Sequence, residues 1–332
     1  MTTRRNLVIT HGEDVDGIIS AALLKRYLDG AEIFLVQHKN QDIFFENLVE
    51  DFKLCQNANI YVADLPIKDS YMIDKGHGSV IRRLMDFSNS LTWFDHHVTN
   101  DLQEVWRCGC LPIMGTREQK CSASLIYDAH AGAVDVHGNY LAEIAQLNDY
   151  ECKNGGKDLI EQGITLQRLI TYFSVTSNEI GLHSLVESLA VSFDWQSEMQ
   201  DIFEFSKVRF QAAVRAIANN YTMFQVDNRV VLLALLDPIL PQKEIMRSIR
   251  ENFGVATDVC VGIIPEPVNN VILFKGSRGN IFPVQAFCEF LKGGGRDGDG
   301  GFTLPQSHDW SSIVQAMISF KALYYEYLIS VI

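Results

Sequence analysis

Within its first hundred residues the chain alternates short β-type runs with helical segments, and no other feature constrains the fold as much. Residues 6–10 (NLVIT), 32–36 (EIFLV), 59–63 (NIYVA) and 91–94 (LTWF) are the runs, rich in β-branched and aromatic side chains. Residues 18–27 (IISAALLKRY), 42–52 and 79–87 between them carry apolar residues at helical spacing. Strand–helix–strand order implies a parallel sheet. Ligands of such open α/β folds sit at the carboxyl ends of the strands.

Three of the runs end in acids or imidazoles. The first passes into His11, Glu13, Asp14, Asp16 and Gly17, the third into Asp64-Leu65-Pro66, the fourth into Asp95-His96-His97. Each has an ordinary explanation in isolation: Asp16 as a helix N-cap, Asp64 as a turn residue, the histidine pair as a solvated turn. A parallel sheet gathers all three ends at one edge. Imidazole and carboxylate side by side are ligands for divalent transition metals. Further on, residues 110–114 read as a strand and 122–131 as a helix capped by Ser122. Residues 140–147 read as a helix closing on Asn148, Asp149, Tyr150 and Glu151. An acid there opposes the helix dipole unless a positive group is near, which makes Asp149 a candidate ligand and Glu151 its rival.

The second half has a different texture. Residues 159–189 look all-helical and 195–221 continue so; strands follow at 229–236, 255–264 and 271–275, with helices at 242–251 and 284–291. After the last strand comes FKGSRGN, with Ser277 and Arg278, and after the last helix comes Gly293-Gly294-Gly295-Arg296-Asp297-Gly298-Asp299. Glycines let a backbone approach a ligand and aim N–H groups at an anion, while arginine offers a planar fork for phosphate oxygens. A flexible hairpin or a calcium-type D-x-D loop is the alternative.

At 332 residues the chain fits two domains better than one, expected at 1–190 and 222–332 with 191–221 as a helical linker. The balance of 28 basic against 41 acidic residues, net −13, argues against long duplex nucleic acid but allows a short oligonucleotide in a local site. No apolar run approaches the roughly 20 residues of a membrane span, and MTTRRNLVIT lacks a signal-peptide core, so a cytoplasmic protein is expected. Seven scattered cysteines suggest reduced, packing thiols, and the lone C-x-C of Cys108 and Cys110 is weak evidence for zinc.

The order His11-x-x-Asp14-x-Asp16, Asp64, Asp95-His96-His97, then Asp149 resembles the four motifs of the DHH phosphoesterase superfamily. The trailing Ser277-Arg278 and Gly293-Gly294-Gly295 resemble the substrate-binding domain of its DHHA1 branch, that of RecJ-type exonucleases and nanoRNases. The resemblance runs from residue 9 to about residue 305. It implies an α/β fold in which an N-terminal parallel-sheet domain, with helices on both faces, holds two divalent metals, usually manganese, with magnesium or cobalt as substitutes. His11 and Asp14 would hold one metal, Asp16, His96 and Asp149 the other, and Asp64 would bridge them. His97 would touch the scissile phosphate and Asp95 would orient the site. In a smaller α/β domain, Ser277, Arg278 and the Gly293–Gly295 backbone would bind the nucleotide. Family members usually carry histidine after the glycine triplet. This chain has Arg296, whose reach differs from that of imidazole.

The implied reaction is hydrolysis of a short oligonucleotide or linear dinucleotide to nucleoside 5′-monophosphates by a hydroxide that two metals activate. Cyclic nucleotides, pyrophosphate or polyphosphate are alternative substrates for the same metals. A nucleotide sensor without turnover is the alternative from another class. A homodimer is compatible with the sequence, and base preference is not legible in it.

Overall fold

The structure, a computed structural model, describes residues 5–73, 79–97, 99, 102–115, 120–131, 135–150, 156–193, 197–217, 221–265, 268–278, 282–295 and 298–331. The chain divides into two compact units, Met1–Gln200 and Asp201–Ile332.

The first unit runs β1 (Arg5–His11), α1 (Val15–Tyr27), β2 (Ala31–Val36), α2 (Gln41–Glu50), α3 (Phe52–Cys55), β3 (Ala58–Ala63), α4 (Val80–Phe87) and β4 (Ser90–Asp95). It continues with α5 (Leu102–Arg107), β5 (Leu111–Met114), α6 (Ser122–His130), α7 (Val136–Tyr150), α8 (Lys157–Val175) and α9 (Glu179–Val191). Its five strands are all parallel, in the order β2-β1-β3-β4-β5. The order reverses direction between β1 and β3, so the ligand crevice of this topology lies where His11 ends one strand and Asp64 follows the other. The expected α/β architecture with a parallel sheet is the one observed.

Alternation along the strands supplies both faces. Leu7 and Ile9 of β1, Ile60 and Val62 of β3, and Leu91 and Trp93 of β4 form one fully apolar layer with Phe45, Leu48, Ile81 and Leu84 from α2 and α4. The Trp93 indole N–H donates to Leu65 O at 2.7 Å, so the largest side chain of that layer leaves no polar atom unpaired. The opposite face is covered by α1, on which every residue from Val15 to Leu24 is buried. A helix apolar all round must be enclosed, and α1 packs against β1, α6, α7 and α9.

Several local expectations change. The helix read as capped by Ser122 has Cys121 at its N-cap, with no side-chain cap bond of its own. Its first amides, Ser122 N and Ala123 N, instead donate to the two oxygens of Asp16, each at 2.8 Å. Asp16 does cap a helix, but not its own: Asp14 accepts from Gly17 N and caps α1. Residues 159–189 are two helices, broken where Ser177 takes a left-handed φ of 54° and Asn178 caps α9 by accepting from Gly181 N. The helix read at 140–147 extends over Val136–Tyr150 and therefore contains Asp149. The six described cysteines are free thiols, and Cys108 and Cys110 pack in the first core rather than as a metal pair.

The second unit holds most of α10 (Ser197–Ile217), then β6 (Tyr221–Val226), β7 (Arg229–Leu235), α11 (Gln242–Phe253), β8 (Val259–Ile264), β9 (Asn270–Lys275), α12 (Val284–Phe290), β10 (Gly294–Gly295), β11 (Asp299–Thr303) and α13 (Ile313–Ser330). Its mixed sheet has the order β10-β11-β9-β8-β7-β6, with β7 and β8 parallel across α11. α11 covers one face, and α12 and α13 cover the other. Tyr221, expected to end a helix, begins β6, which pairs antiparallel with β7.

One tie fastens the helical layer of the first unit. Asp135 accepts from Arg26 Nε (2.7 Å) and Nη2 (3.0 Å), from the Tyr27 hydroxyl (2.9 Å) and from Gly138 N (3.1 Å) at the start of α7. Arg26 and these donors hold its carboxyl well below the usual range. Asp135→Ala removes a cap and a two-toothed ion pair, and is expected to lower stability by about 1–3 kcal/mol. Urea unfolding followed by circular dichroism measures the loss.

Candidate metal centre

The polar ends of β1, β3 and β4 converge. His11 closes β1, and Gly17 lets α1 begin directly against it, since a Cβ there would lie 2.1 Å from His11 O. Asp64, the residue after β3, is buried and takes a left-handed φ of 56°, a conformation uncommon for any residue but glycine and tolerated best by aspartate and asparagine. Asp95 ends β4 with no exposed surface, and His96 behind it is buried as well.

Asp64 stands at the middle. One group of potential ligand atoms, from Asp64, Asp95, His96 and His97, lies within 4.8 Å of one another, and a second, from His11, Asp14 and Asp64, is equally close. Asp64 belongs to both. Its Oδ1 is 3.3 Å from His96 Nε2 and its Oδ2 is 3.7 Å from His11 Nδ1. His11 Nδ1 is 3.1 Å from Asp14 Oδ2, and its Nε2 is 3.3 Å from Glu13 Oε2. His96 meets different partners with its two nitrogens: Nε2 faces Asp64 and, at 3.9 Å, Asp16 Oδ2, whereas Nδ1 faces Asp149 Oδ2 at 3.5 Å and the Tyr150 hydroxyl at 3.2 Å. His97 Nδ1 is 2.7 Å from Asp95 Oδ1.

The donor set fits divalent cations on an observation independent of motif. Asp64 Oδ2 and Asp95 Oδ2 are buried carboxylate oxygens without a hydrogen-bond partner, which is costly unless a cation supplies the missing interaction. Proton equilibria report the same deficit of positive charge. Burial acts to lower the pKa of His96, yet Asp64, Asp16 and Asp149 hold it up at about 9; burial likewise opposes His11, yet Asp14, Asp64 and Glu13 raise it well above its ordinary value. Burial and then the Asp64 charge push Asp16 up, while Asp64 itself, against its burial, is held low by His11 and His96.

Three neighbours escaped the sequence reading. Glu13 lies between His11 and Asp14 in the chain, and its Oε2 also accepts from His38 N at 3.2 Å. His38, two residues beyond β2, stacks on His11 with ring centroids 4.2 Å apart and lies 6.2 Å from the His97 ring. A lone imidazole after a strand carries little signal by itself. The fact that His11, Asp64 and the 95–97 run also stand at strand ends is the signal available. Tyr150 was named only as a helix-end neighbour, yet its hydroxyl meets His96. Glu151, the rival of Asp149, lies outside the described residues.

The candidates of the second unit sit around the end of β9. The Ser277 hydroxyl donates to Gly254 O at 3.3 Å, and Arg278 N donates to Thr257 O at 3.1 Å. The Arg278 guanidinium is 45% exposed, with Nη1 3.9 Å from the buried Asp258 Oδ2. The glycine triplet belongs to a hairpin, with Gly294 opposite Gly301 and Gly295 opposite Gly300. A Cβ on Gly293 would lie 2.1 Å from Gly301 O, and Gly295 has φ 157° with Gly300 Cα 2.5 Å from its ideal Cβ. Strand contact explains two of the three glycines, and Gly294, exposed with open space around it, is the one whose backbone a ligand can approach. Lys275 N donates to Gly298 O, so the hairpin tip and Ser277-Arg278 leave the sheet at the same end. Arg296 lies outside the described residues.

No family model and no curated protein matches the sequence. Among solved structures, the chain is similar to the pGpG-specific phosphodiesterase PggH of Vibrio cholerae, at a TM-score of 0.53 and 14% identity over 98% of this chain and 99% of that one. It is also similar to exonuclease RecJ bound to manganese, at a TM-score of 0.54 and 12% identity over 97% and 90%. The chain shares its fold with these two proteins. In this fold, the histidines and acids of the two clusters lie at one end of the parallel sheet, where the strand order reverses.

The raised imidazoles give a pH signature. A His96 held at about 9, against 6.5 when exposed, contributes stability that is complete below pH 6.5 and is lost as pH rises through 9, and His11 acts in the same direction. In metal-stripped protein the melting temperature is expected to fall between pH 7 and pH 9.5 by on the order of 5 °C. With manganese added the fall should vanish, because a coordinating imidazole is already deprotonated and metal affinity rises with pH. Differential scanning fluorimetry with and without chelator makes the comparison.

Proposed function

We propose that the chain is a metal-dependent phosphodiesterase that hydrolyses short oligonucleotides or linear dinucleotides to nucleoside 5′-monophosphates. The observation that carries this reading is the sharing of buried Asp64 between two adjacent groups of ligand atoms. The DHH fold, with similarity to a pGpG-specific phosphodiesterase and to a manganese-bound exonuclease, supports it. The net charge of −13 favours a short substrate in a local site over a long polyanion.

In this reading His11 and Asp14 would hold one divalent ion, Asp16, His96 and Asp149 would hold the other, and Asp64 would serve both. When bound, such a pair lowers the pKa of a water and neutralises phosphate oxygens. The remaining steps belong to side chains. Asp95, wholly buried, fixes His97 through Nδ1, which leaves Nε2 to contact a phosphate oxygen and to give a proton to the departing oxygen. The α6 amides hold Asp16 so that its carboxylate does not rotate away from His96. Tyr150 and Asp149 orient the His96 ring from its Nδ1 side. In the second unit, Arg278 offers its guanidinium to a terminal phosphate, and the Gly294 backbone lies open beside its strand. Ser277, whose hydroxyl is engaged by Gly254 O, shapes the turn that presents Arg278.

A manganese-supplemented screen of dinucleotides, cyclic nucleotides and pyrophosphate, with product identification by mass spectrometry, tests the assignment. Dinucleotide turnover to monophosphates is expected, and turnover of pyrophosphate alone would replace the reading with a phosphatase. Asp64→Ala is expected to reduce kcat by at least about 10³-fold with the fold retained, in the range seen when a main electrostatic group is lost. Unchanged turnover would remove Asp64 from the bridging role. Arg278→Ala should raise KM about tenfold or more and leave kcat within a few-fold, the pattern of a contact made equally in ground and transition states.

A further inference from the structure

A cleft of about 360 Å³ opens in the first unit beside β2, between that strand, the end of α8 and the first turns of α9. It is distinct from the metal centre yet begins one residue away from it. Gly12, which follows His11, is part of its wall, held by Gly12 N donating to Val36 O at 3.0 Å and by the Ser174 hydroxyl donating to Gly12 O at 3.4 Å. The break between α8 and α9, with Ser177 in its left-handed conformation, forms the far side.

We propose that this cleft receives the base of a nucleotide whose phosphate lies at the Asp64 cluster; the inference rests on the phosphodiesterase reading above. Its lining combines apolar and polar side chains. Phe34, Phe44 and Phe173 supply aromatic surface, the first two with centroids 5.9 Å apart at 55°, while Gln37, Asn40 and Glu179 carry amide and carboxylate groups. A flat heterocycle has the same division, with apolar faces and an edge of N–H and carbonyl groups. A phosphate fits the lining poorly: among the described residues it includes no lysine or arginine, and its one imidazole, His183, is accompanied by the Glu179 carboxylate. The volume lies near the small end of ligand pockets, about 300–1,000 Å³, enough for one base and part of its sugar but not for a run of nucleotides. His38, which follows Gln37 and stacks on His11, marks the path between cleft and metal centre.

Isothermal titration of the manganese-loaded full chain with AMP, GMP and ribose 5-phosphate tests the cleft without requiring turnover. The wild type is expected to bind at least one of the two nucleotides about tenfold more tightly than ribose 5-phosphate, as one stacked base supplies. Gln37→Trp, which places an indole in the cleft, should bring the affinities within about twofold of each other, with metal content unchanged. Asn40→Trp, at an exposed lining position, gives the same reading if Gln37→Trp fails to fold. Equal affinity for nucleotide and ribose 5-phosphate in the wild type, or a preference that survives substitution in folded protein, overturns the proposal. Failure of the hydrolase reading is separately visible, as absent dinucleotide turnover with the preference for a base intact.

Discussion

Buried negative charge at the carboxyl ends of three parallel strands is the constraint on which the first unit depends. Asp16, Asp64 and Asp95 are withdrawn from water, and Asp14 and Asp149 stand close to them. A carboxylate in such a place survives only when paired, hydrogen-bonded or protonated. The fold supplies part of what is needed. The amino end of α6 points two amides at Asp16, placing the positive end of a helix dipole against it, and His97 takes one oxygen of Asp95. The second oxygens of Asp64 and Asp95 are left without hydrogen-bond partners, Asp64 Oδ2 having only the longer ion pair with His11 Nδ1 at 3.7 Å.

Much of this was legible because buried parallel strands write themselves as short apolar runs, and because a polar residue that ends such a run cannot be hidden among others. The parallel sheet and its order of strands and helices follow from that pattern. Asp16 was legible as a member of the polar cluster but not in its partner: the amides it holds are 106 and 107 residues away, and no local pattern encodes a helix capped by another helix's side chain. The break at Thr176–Asn178 hides in a run of good helix formers, since serine reaches a left-handed φ without advertising it. β6 went unread apart from Tyr221, which the sequence places at the end of a helix, because its alternation is brief and its pairing with β7 is what makes it a strand.

Glycine shows how one motif can have two physical reasons. In the sequence, Gly293-Gly294-Gly295 suggests a backbone opened for an anion. In the structure, Gly293 and Gly295 are needed because β10 lies so close to β11 that a Cβ would strike the opposite strand. Gly17 is of the same kind, allowing α1 to start against the carbonyl of His11. Both make close approach possible, yet what approaches is the chain itself. Of the triplet, Gly294 alone retains the open surroundings that an external ligand requires.

The overall acidity of the chain then bears on how a phosphate ester could be accepted at all. The imidazoles of His11 and His96, whose pKa values the neighbouring acids raise, face the carboxylates of Asp14, Asp16, Asp64 and Asp149. That balance is negative, and it would repel a phosphodiester before any chemistry began. Two divalent ions would bring four positive charges to a cluster whose acids are Glu13, Asp14, Asp16, Asp64, Asp95 and Asp149, and would so weaken the repulsion that a phosphodiester meets there. Metal dependence would therefore extend to substrate admission as well as to the hydrolytic step, and a net charge of −13 poses no obstacle when the field near the reacting phosphate is set locally. The cleft beside β2 is consistent with this arrangement: with the anion held by cations, the base is left to a pocket lined by aromatic rings and amides rather than by positive charge.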